Sequence, residues 1–170
     1  AIGKRVYRSI DVDHEDVALR AFTLFVQTAR AVMKYTDTHL YRKARVSIIR
    51  LIALQALASN GGIMKPSEIA EWTQTERHNI TTLVNRMRKE GLVTADRNTS
   101  DKRSVDITLT DKGREVLSQA MLVAKEVVDQ VMSSLSEGNA TLLEKTLRVL
   151  RQNAHYGLES ASKHPQPPPE

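Results

Sequence analysis

A chain of 170 residues, 41% hydrophobic and 26% charged, is long enough to bury a core as one domain, or as one small domain with helical extensions. Its 25 Lys and Arg outnumber 20 Asp and Glu, and the resulting net charge of +5 suits a polyanionic partner without establishing one. The absence of cysteine excludes disulfides, thiol catalysis and thiol-oxidation sensing.

The first residues, AIGKRVYRSIDVD, are basic but lack the apolar run of a signal peptide, and no segment approaches the length needed to span a bilayer. A soluble, cytoplasmic protein with no membrane partner is therefore expected. Val17, Ala21, Leu24 with Phe25, Thr28 and Val32 are spaced by three and four, which predicts an amphipathic helix over about Asp13 to Tyr35. The polar run TDTH reads as a break. A second helix is expected from Arg42 to Ser59, with Val46, Ile49, Ile52 and Leu57 inward, ending at SNGGIM because Gly61 and Gly62 favour turn geometry.

Pro66 suits a first helical position and Glu68 a first turn, so a short helix is expected to about Trp72, with Trp72 packed in the core. A polar turn, Thr73 to Thr75, leads to a helix over about Glu76 to Glu90, with Thr75 as candidate N-cap and Gly91 closing the end. Two strands follow, about Val93 to Asp96 and Ser104 to Leu109, around the loop of DRNTSDKRSVDITLT. Thr110 reads as the N-cap of a long helix with a broad apolar stripe, including Val116, Ala120, Val123, Val127, Val131 and Leu135. Ser136 caps a last helix carrying Leu143, Leu147, Leu150, Ala154 and Leu158. The tail KHPQPPPE cannot continue it. The expected class is mainly α (α+β).

Two helices joined by a three-residue turn and followed at once by a hairpin have the arrangement of a winged helix-turn-helix. On the second of these helices, Ile80, Leu83, Val84 and Met87 share one seam, while His78, Thr82, Asn85 and Lys89 lie opposite, flanked by Thr81 and Arg86. That outer face carries no carboxylate. Asn and Arg can pair bidentately with adenine and guanine, and Thr can bond to base or phosphate. The candidate readers are Arg77, His78, Thr81, Thr82, Asn85 and Arg86; a solvated surface helix would look the same in isolation. Arg97, Lys102 and Arg103 on the hairpin could reach a minor groove or phosphates, with Asp101 bracing an arginine, or could be solubilising charges on a turn.

The run from Pro66 through Glu115, with PSEIAEW, NITTLVNRMRKEGLV and DRNTSDKRSVDITLTDKGREVL, resembles the MarR family of bacterial and archaeal transcription regulators. Most specific is Asp101-x-Arg103-Ser104 followed by Ile107-x-Leu109-Thr110-x-x-Gly113. The resemblance implies a homodimer whose first and last two helices interlock, binding a pseudo-palindromic double-stranded DNA operator. It also implies a recognition helix beginning at Glu76, and Arg103 as a minor-groove arginine braced by Asp101. Lys65, Gln74, Glu76 and Asn85 depart from residues common at those places in the family. The implied organisation is an N-terminal arm and dimerisation helix over 1–40, the DNA-binding domain over 41–112, dimerisation helices over 113–160 and a Pro-rich tail over 161–170.

The apolar stripes of the last two helices exceed what a winged domain of this size could cover, which agrees with a dimer; a self-contained bundle is the alternative. Arg42, Lys43, Arg45 and Arg50, preceded by His39 and Tyr41, form a cationic cluster. Family resemblance suggests an effector pocket for a small aromatic or anionic ligand here, at His39, Tyr41 and Arg45. Solvated charges and salt bridges are the other reading. His14, His39, His78, His155 and His164 show no metal spacing except His14 beside Glu15 and Asp16, three consecutive residues that cannot all face one ion on a helix, and no phosphate loop, nucleophile motif or catalytic carboxylate pair is found. The expectation is a ligand-modulated transcription regulator, most often a repressor in this family, with no cofactor, metal or enzymatic activity. A winged-helix protein-interaction module is the rival.

Overall fold

Asp16 starts the first helix. Its Oδ1 accepts the backbone N–H groups of Ala18 and Leu19 at 2.7 and 3.3 Å, satisfying donors that a helix N-terminus leaves open. The computed structural model describes residues 15–97 and 105–163. In order, the elements are α1 (Val17–Ala44), α2 (Ile48–Ser59), β1 (Ile63–Met64), α3 (Pro66–Thr73), α4 (Arg77–Lys89), β2 (Val93–Arg97), β3 (Val105–Leu109), α5 (Asp111–Met132) and α6 (Glu137–Lys163). Among the described residues no helix is long and apolar enough to cross a membrane.

The expected break at TDTH does not occur. Helix α1 runs 28 residues, because the polar side chains there are satisfied without leaving the helix. Thr36 and Thr38 donate their hydroxyls to the carbonyls of Val32 and Lys34, both at 2.8 Å. Asp37 instead accepts the backbone N–H of Ile48 at 2.8 Å and so helps to start α2, which Ser47 N-caps. The chain reverses at Arg45, which adopts left-handed geometry with φ 56°. Val46 is consequently a buried connector residue rather than part of the inward face of α2.

Helix α2 buries Leu51, Ala53, Leu54, Ala56 and Leu57. Gly61 and Gly62, at φ 75° and 87°, turn the chain into β1, an element too short to show an alternating pattern in the sequence. Strand β1 joins a three-stranded antiparallel sheet of order β1-β3-β2, with Ile63 opposite Thr108 and Met64 opposite Ile107. In the hairpin, Val93 faces Leu109 and Arg97 faces Val105.

Pro66 occupies the first turn of α3, and the Lys65 backbone N–H donates to Glu68 Oε2 at 2.7 Å. Gln74 takes left-handed geometry at φ 50° to make the turn. The N-cap of α4 is Glu76, not Thr75. Thr75 donates its hydroxyl back to the Thr73 carbonyl at 3.1 Å and is thereby committed to the turn. The core joins Leu54, Leu57, Ile69, Ile80, Met87, Val93 and Ile107 around α2, α3, α4 and the sheet. Trp72, expected there, is 55% exposed, because Ile69 and Ala70 already supply the buried face of α3.

The chain divides into two compact units, Ala1–Val127 and Val128–Glu170. The first holds the winged helix-turn-helix. The second holds the end of α5 and all of α6, whose N-cap is Ser136, accepting the Asn139 N–H at 3.3 Å.

Candidate nucleic-acid interface

Helix α4 divides as its sequence predicts. Ile80, Val84 and Met87 are buried and Leu83 packs partly against them, whereas His78, Thr81, Thr82, Asn85, Arg86 and Lys89 are exposed. Arg77 opens the helix. Thr82 donates its hydroxyl to the His78 carbonyl at 3.3 Å, which aims its oxygen lone pairs away from the helix and leaves them able to accept. Arg86, Arg88 and Lys89 lie in the last turn, where the helix dipole favours cations.

The C-terminal end of α4 is held from three directions. Arg50 of α2 grips the Glu90 carboxylate bidentately at 2.7 and 3.0 Å. Lys112 Nζ donates to the Glu90 carbonyl at 2.8 Å, and the Thr110 hydroxyl donates to the Gly91 carbonyl at 2.7 Å. The Thr110 hydroxyl oxygen also accepts the Gly113 N–H at 3.0 Å, so one side chain both caps α5 and ties α5 to the end of α4. A presented helix must be supported in this way if its outer side chains are to meet a rigid partner in register.

Gly113 explains a spacing that the sequence shows without its reason. A Cβ at this position would stand 2.2 Å from the Leu92 carbonyl oxygen and 2.6 Å from Leu109 Cδ1. Only a hydrogen there lets the first turn of α5 approach the strand entry at Leu92. The Arg50–Glu90 pair gave no sequence signal of its own, since the partners are 40 residues apart on different helices.

On the hairpin, Arg97 is exposed at the end of β2. Asp101, Lys102 and Arg103 lie outside the described residues. Asp96 stands directly opposite Asp106, one pair before the Arg97–Val105 end of the ladder.

Of the residues suggested for an effector pocket, Tyr41 and Arg45 lie against each other, and His39 meets a carboxylate of α5. His39 Nε2 is 3.0 Å from Glu126 Oε2, and its ring tilts against that of Tyr35 at 5.7 Å. Lys43 bonds to the same Glu126 oxygen. Lys43, first, and then His39 hold the Glu126 carboxyl below its ordinary range by hydrogen bonding to its ionised form. The Arg45 guanidinium instead lies over the Tyr41 ring, 5.6 Å from its centre, and Tyr41 is 58% exposed. Of the cationic cluster, then, Lys43 and Arg50 are committed to carboxylates of the same chain.

Residues 46–104 match the model described as MarR family. The HTH-type transcriptional repressor MdtR of Bacillus subtilis is 26% identical over 130 residues, covering 76% of this chain and 80% of that protein. The HTH-type transcriptional repressor IacR of Pseudomonas putida is 27% identical over 131 residues, 76% of this chain and 78% of that protein. Among solved structures, a MarR family transcriptional regulator from Streptomyces coelicolor in complex with DNA shares the fold at TM-score 0.73. It is 24% identical and covers 79% of this chain and 88% of that one. An organohalide-sensing transcriptional regulator bound to 2,4-dichlorophenol also superposes at TM-score 0.73, with 23% identity over 87% of this chain and 88% of that one.

Proposed function

We propose, from the match of residues 46–104 to the model described as MarR family, that the protein is a transcriptional repressor of that type, binding a pseudo-palindromic DNA operator as a cytoplasmic homodimer. The observation that carries the reading is the outer face of α4. His78, Thr81, Thr82, Asn85 and Arg86 stand exposed with no carboxylate along Arg77–Lys89, while the opposite seam is buried and the helix end is clamped by Arg50, Lys112 and Thr110. Asn and Arg offer bidentate pairing to adenine and guanine in a major groove, and the Thr hydroxyls and methyls suit either base edges or phosphates. In this reading Arg97, Lys102 and Arg103 of the hairpin engage the adjacent minor groove and backbone, with Asp101 bracing Arg103.

The helices flanking residues 41–112 pair two copies. On α1, Val17, Phe22 and Leu24 are 67%, 63% and 61% exposed, and on α6 Leu142, Tyr156 and Leu158 are 64%, 75% and 63% exposed. Apolar area of this extent is normally covered by a partner. A two-fold pair would set its recognition helices roughly 34 Å apart, one turn of duplex. Modulation by a small effector follows the precedent of the dichlorophenol-bound relative in fold. At His39, Tyr41 and Arg45, an anionic ligand would have to displace Glu126 from His39 or engage the Arg45 guanidinium above Tyr41.

Selection of binding sites from a random duplex pool tests the proposal. A two-fold symmetric consensus is expected, with affinity falling by about 0.9 log units per neutralised phosphate for each tenfold rise in salt. Recovery of no sequence, with no salt-dependent retention of duplex, would replace this reading with a winged-helix module that binds protein.

A further inference from the structure

The protein has one tryptophan, and it does not serve the core. Trp72, near the end of α3, and Ile63, on the edge strand β1, are 55% and 53% exposed. They line a cleft of about 350 Å³ together with Asn60, Met64, Glu68 and Glu71. Met64, 4% exposed, also lines it. Two carboxylates and no cationic side chain stand in its wall. Glu68 is held there by the Lys65 N–H at 2.7 Å. The site is distinct in place and in charge from the His39, Tyr41 and Arg45 region.

We propose that this cleft binds a small hydrophobic organic cation, of the alkyl- or arylammonium class. An indole face is the strongest aromatic partner for such a cation, because the ring quadrupole attracts positive charge that is weakly hydrated. The carboxylates of Glu68 and Glu71 add attraction that a neutral ligand would not feel, and would repel an anion. The volume lies at the lower end of the range for small-molecule sites, which fits a ligand of one ring and an ammonium group. Within this chain, which carries net positive charge, the acidic wall marks a local reversal of sign at the one place where an indole is open to solvent.

The same tryptophan reports the test, and operator DNA is not needed, so failure here leaves the proposed operator binding untouched. Benzyltrimethylammonium, benzyl alcohol and benzoate are titrated against the full chain while Trp72 fluorescence is followed. The cation should give saturable quenching with a midpoint in the low-millimolar range, benzyl alcohol a midpoint about tenfold higher, and benzoate none. Glu71→Gln should raise the midpoint for the cation about threefold or more, and the cation should raise the melting temperature of the wild type but not of Trp72→Leu. Quenching by the cation that never saturates, equal midpoints for the cation and benzyl alcohol, or an unchanged midpoint in Glu71→Gln would each overturn the proposal. The Glu71→Gln comparison decides the matter even if Trp72→Leu folds poorly.

Discussion

Replacing Gly113 by alanine inserts one methyl group where the structure has no room. The new Cβ would stand 2.2 Å from the Leu92 carbonyl oxygen, 2.6 Å from Leu109 Cδ1 and 3.2 Å from the Leu92 carbonyl carbon. An ordinary contact needs about 3.4 Å, so the first turn of α5 and the Leu92 backbone must separate by more than an ångström. That carbonyl already accepts the Thr110 N–H at 3.1 Å, and separation would also stretch the Thr110 hydroxyl bond to Gly91 and the Lys112 bond to Glu90. Overpacking of this kind costs about 1–3 kcal/mol, and a weakened buried hydrogen bond about 1 kcal/mol more. Alanine returns at most about 1 kcal/mol of helix propensity. A net loss of about 1–4 kcal/mol is expected, which for a chain of this size lowers the melting temperature by about 2–16 °C. Thermal unfolding followed by circular dichroism, at equal protein concentration because a dimer's stability depends on it, measures the effect. Gly138, with nothing within 4 Å of an added Cβ, supplies the contrast: Gly138→Ala should not destabilise. A Gly113→Ala protein as stable as wild type would refute the close-approach argument.

Four further outcomes are expected. Arg103→Ala should weaken operator binding several-fold or more in an electrophoretic or fluorescence assay while the protein keeps its oligomeric state; unchanged affinity at moderate salt removes Arg103 from the interface. Asn85→Ala or Thr82→Ala should change the ranking of operator sequences more than the salt slope, since base contacts specify and phosphate contacts position; a uniform loss across sequences would reassign both to the backbone. Glu90→Gln should cost about 1–3 kcal/mol in urea unfolding, because Arg50 is only 16% exposed and would lose its bidentate partner, and a change below about 0.5 kcal/mol would show the pair to be dispensable. Glu126 has its pKa lowered by folding, so its contribution is complete above its ordinary carboxylate range and fades as the pH falls through the lowered value. Glu126→Gln should accordingly flatten the acid limb of the stability–pH curve, and an acid limb identical to wild type would count against the Lys43 and His39 contacts.

The winged domain was legible because its signals are local. The seam of Ile80, Val84 and Met87 repeats at helical spacing, and Thr110 and Ser136 sit immediately before the helices they cap. Where the sequence misled, a local polar run had a solution that composition cannot display. The TDTH segment looked like a break, yet two threonines bond to carbonyls one turn back, and the aspartate serves a neighbouring helix. Thr75 looked like a cap until its hydroxyl was found in the turn. Strand β1 has two residues, so its identity comes only from pairing with β3, more than forty positions later. Trp72 is expected in the core, whereas α3 is short and its buried side is already filled by Ile69 and Ala70. On α4 the direction of each candidate reader followed from helical phase, while the clamp on the helix end at Glu90 and Gly91 needed α2, α4 and the start of α5 to be assembled.

The continuity of α1 through Thr36 to Thr38 makes it a single rod anchored at one end, where Asp37 accepts from Ile48, His39 and Lys43 meet Glu126, and Leu40 is buried. From Val17 to Asp37, where the side-chain bond to Ile48 attaches the helix to α2, is about 30 Å at 1.5 Å per residue, and from Asp37 to Ala44 about 11 Å. A break at TDTH would have left the Val17 end free to swing on a hinge; the unbroken helix instead fixes the direction of that end from the same anchor.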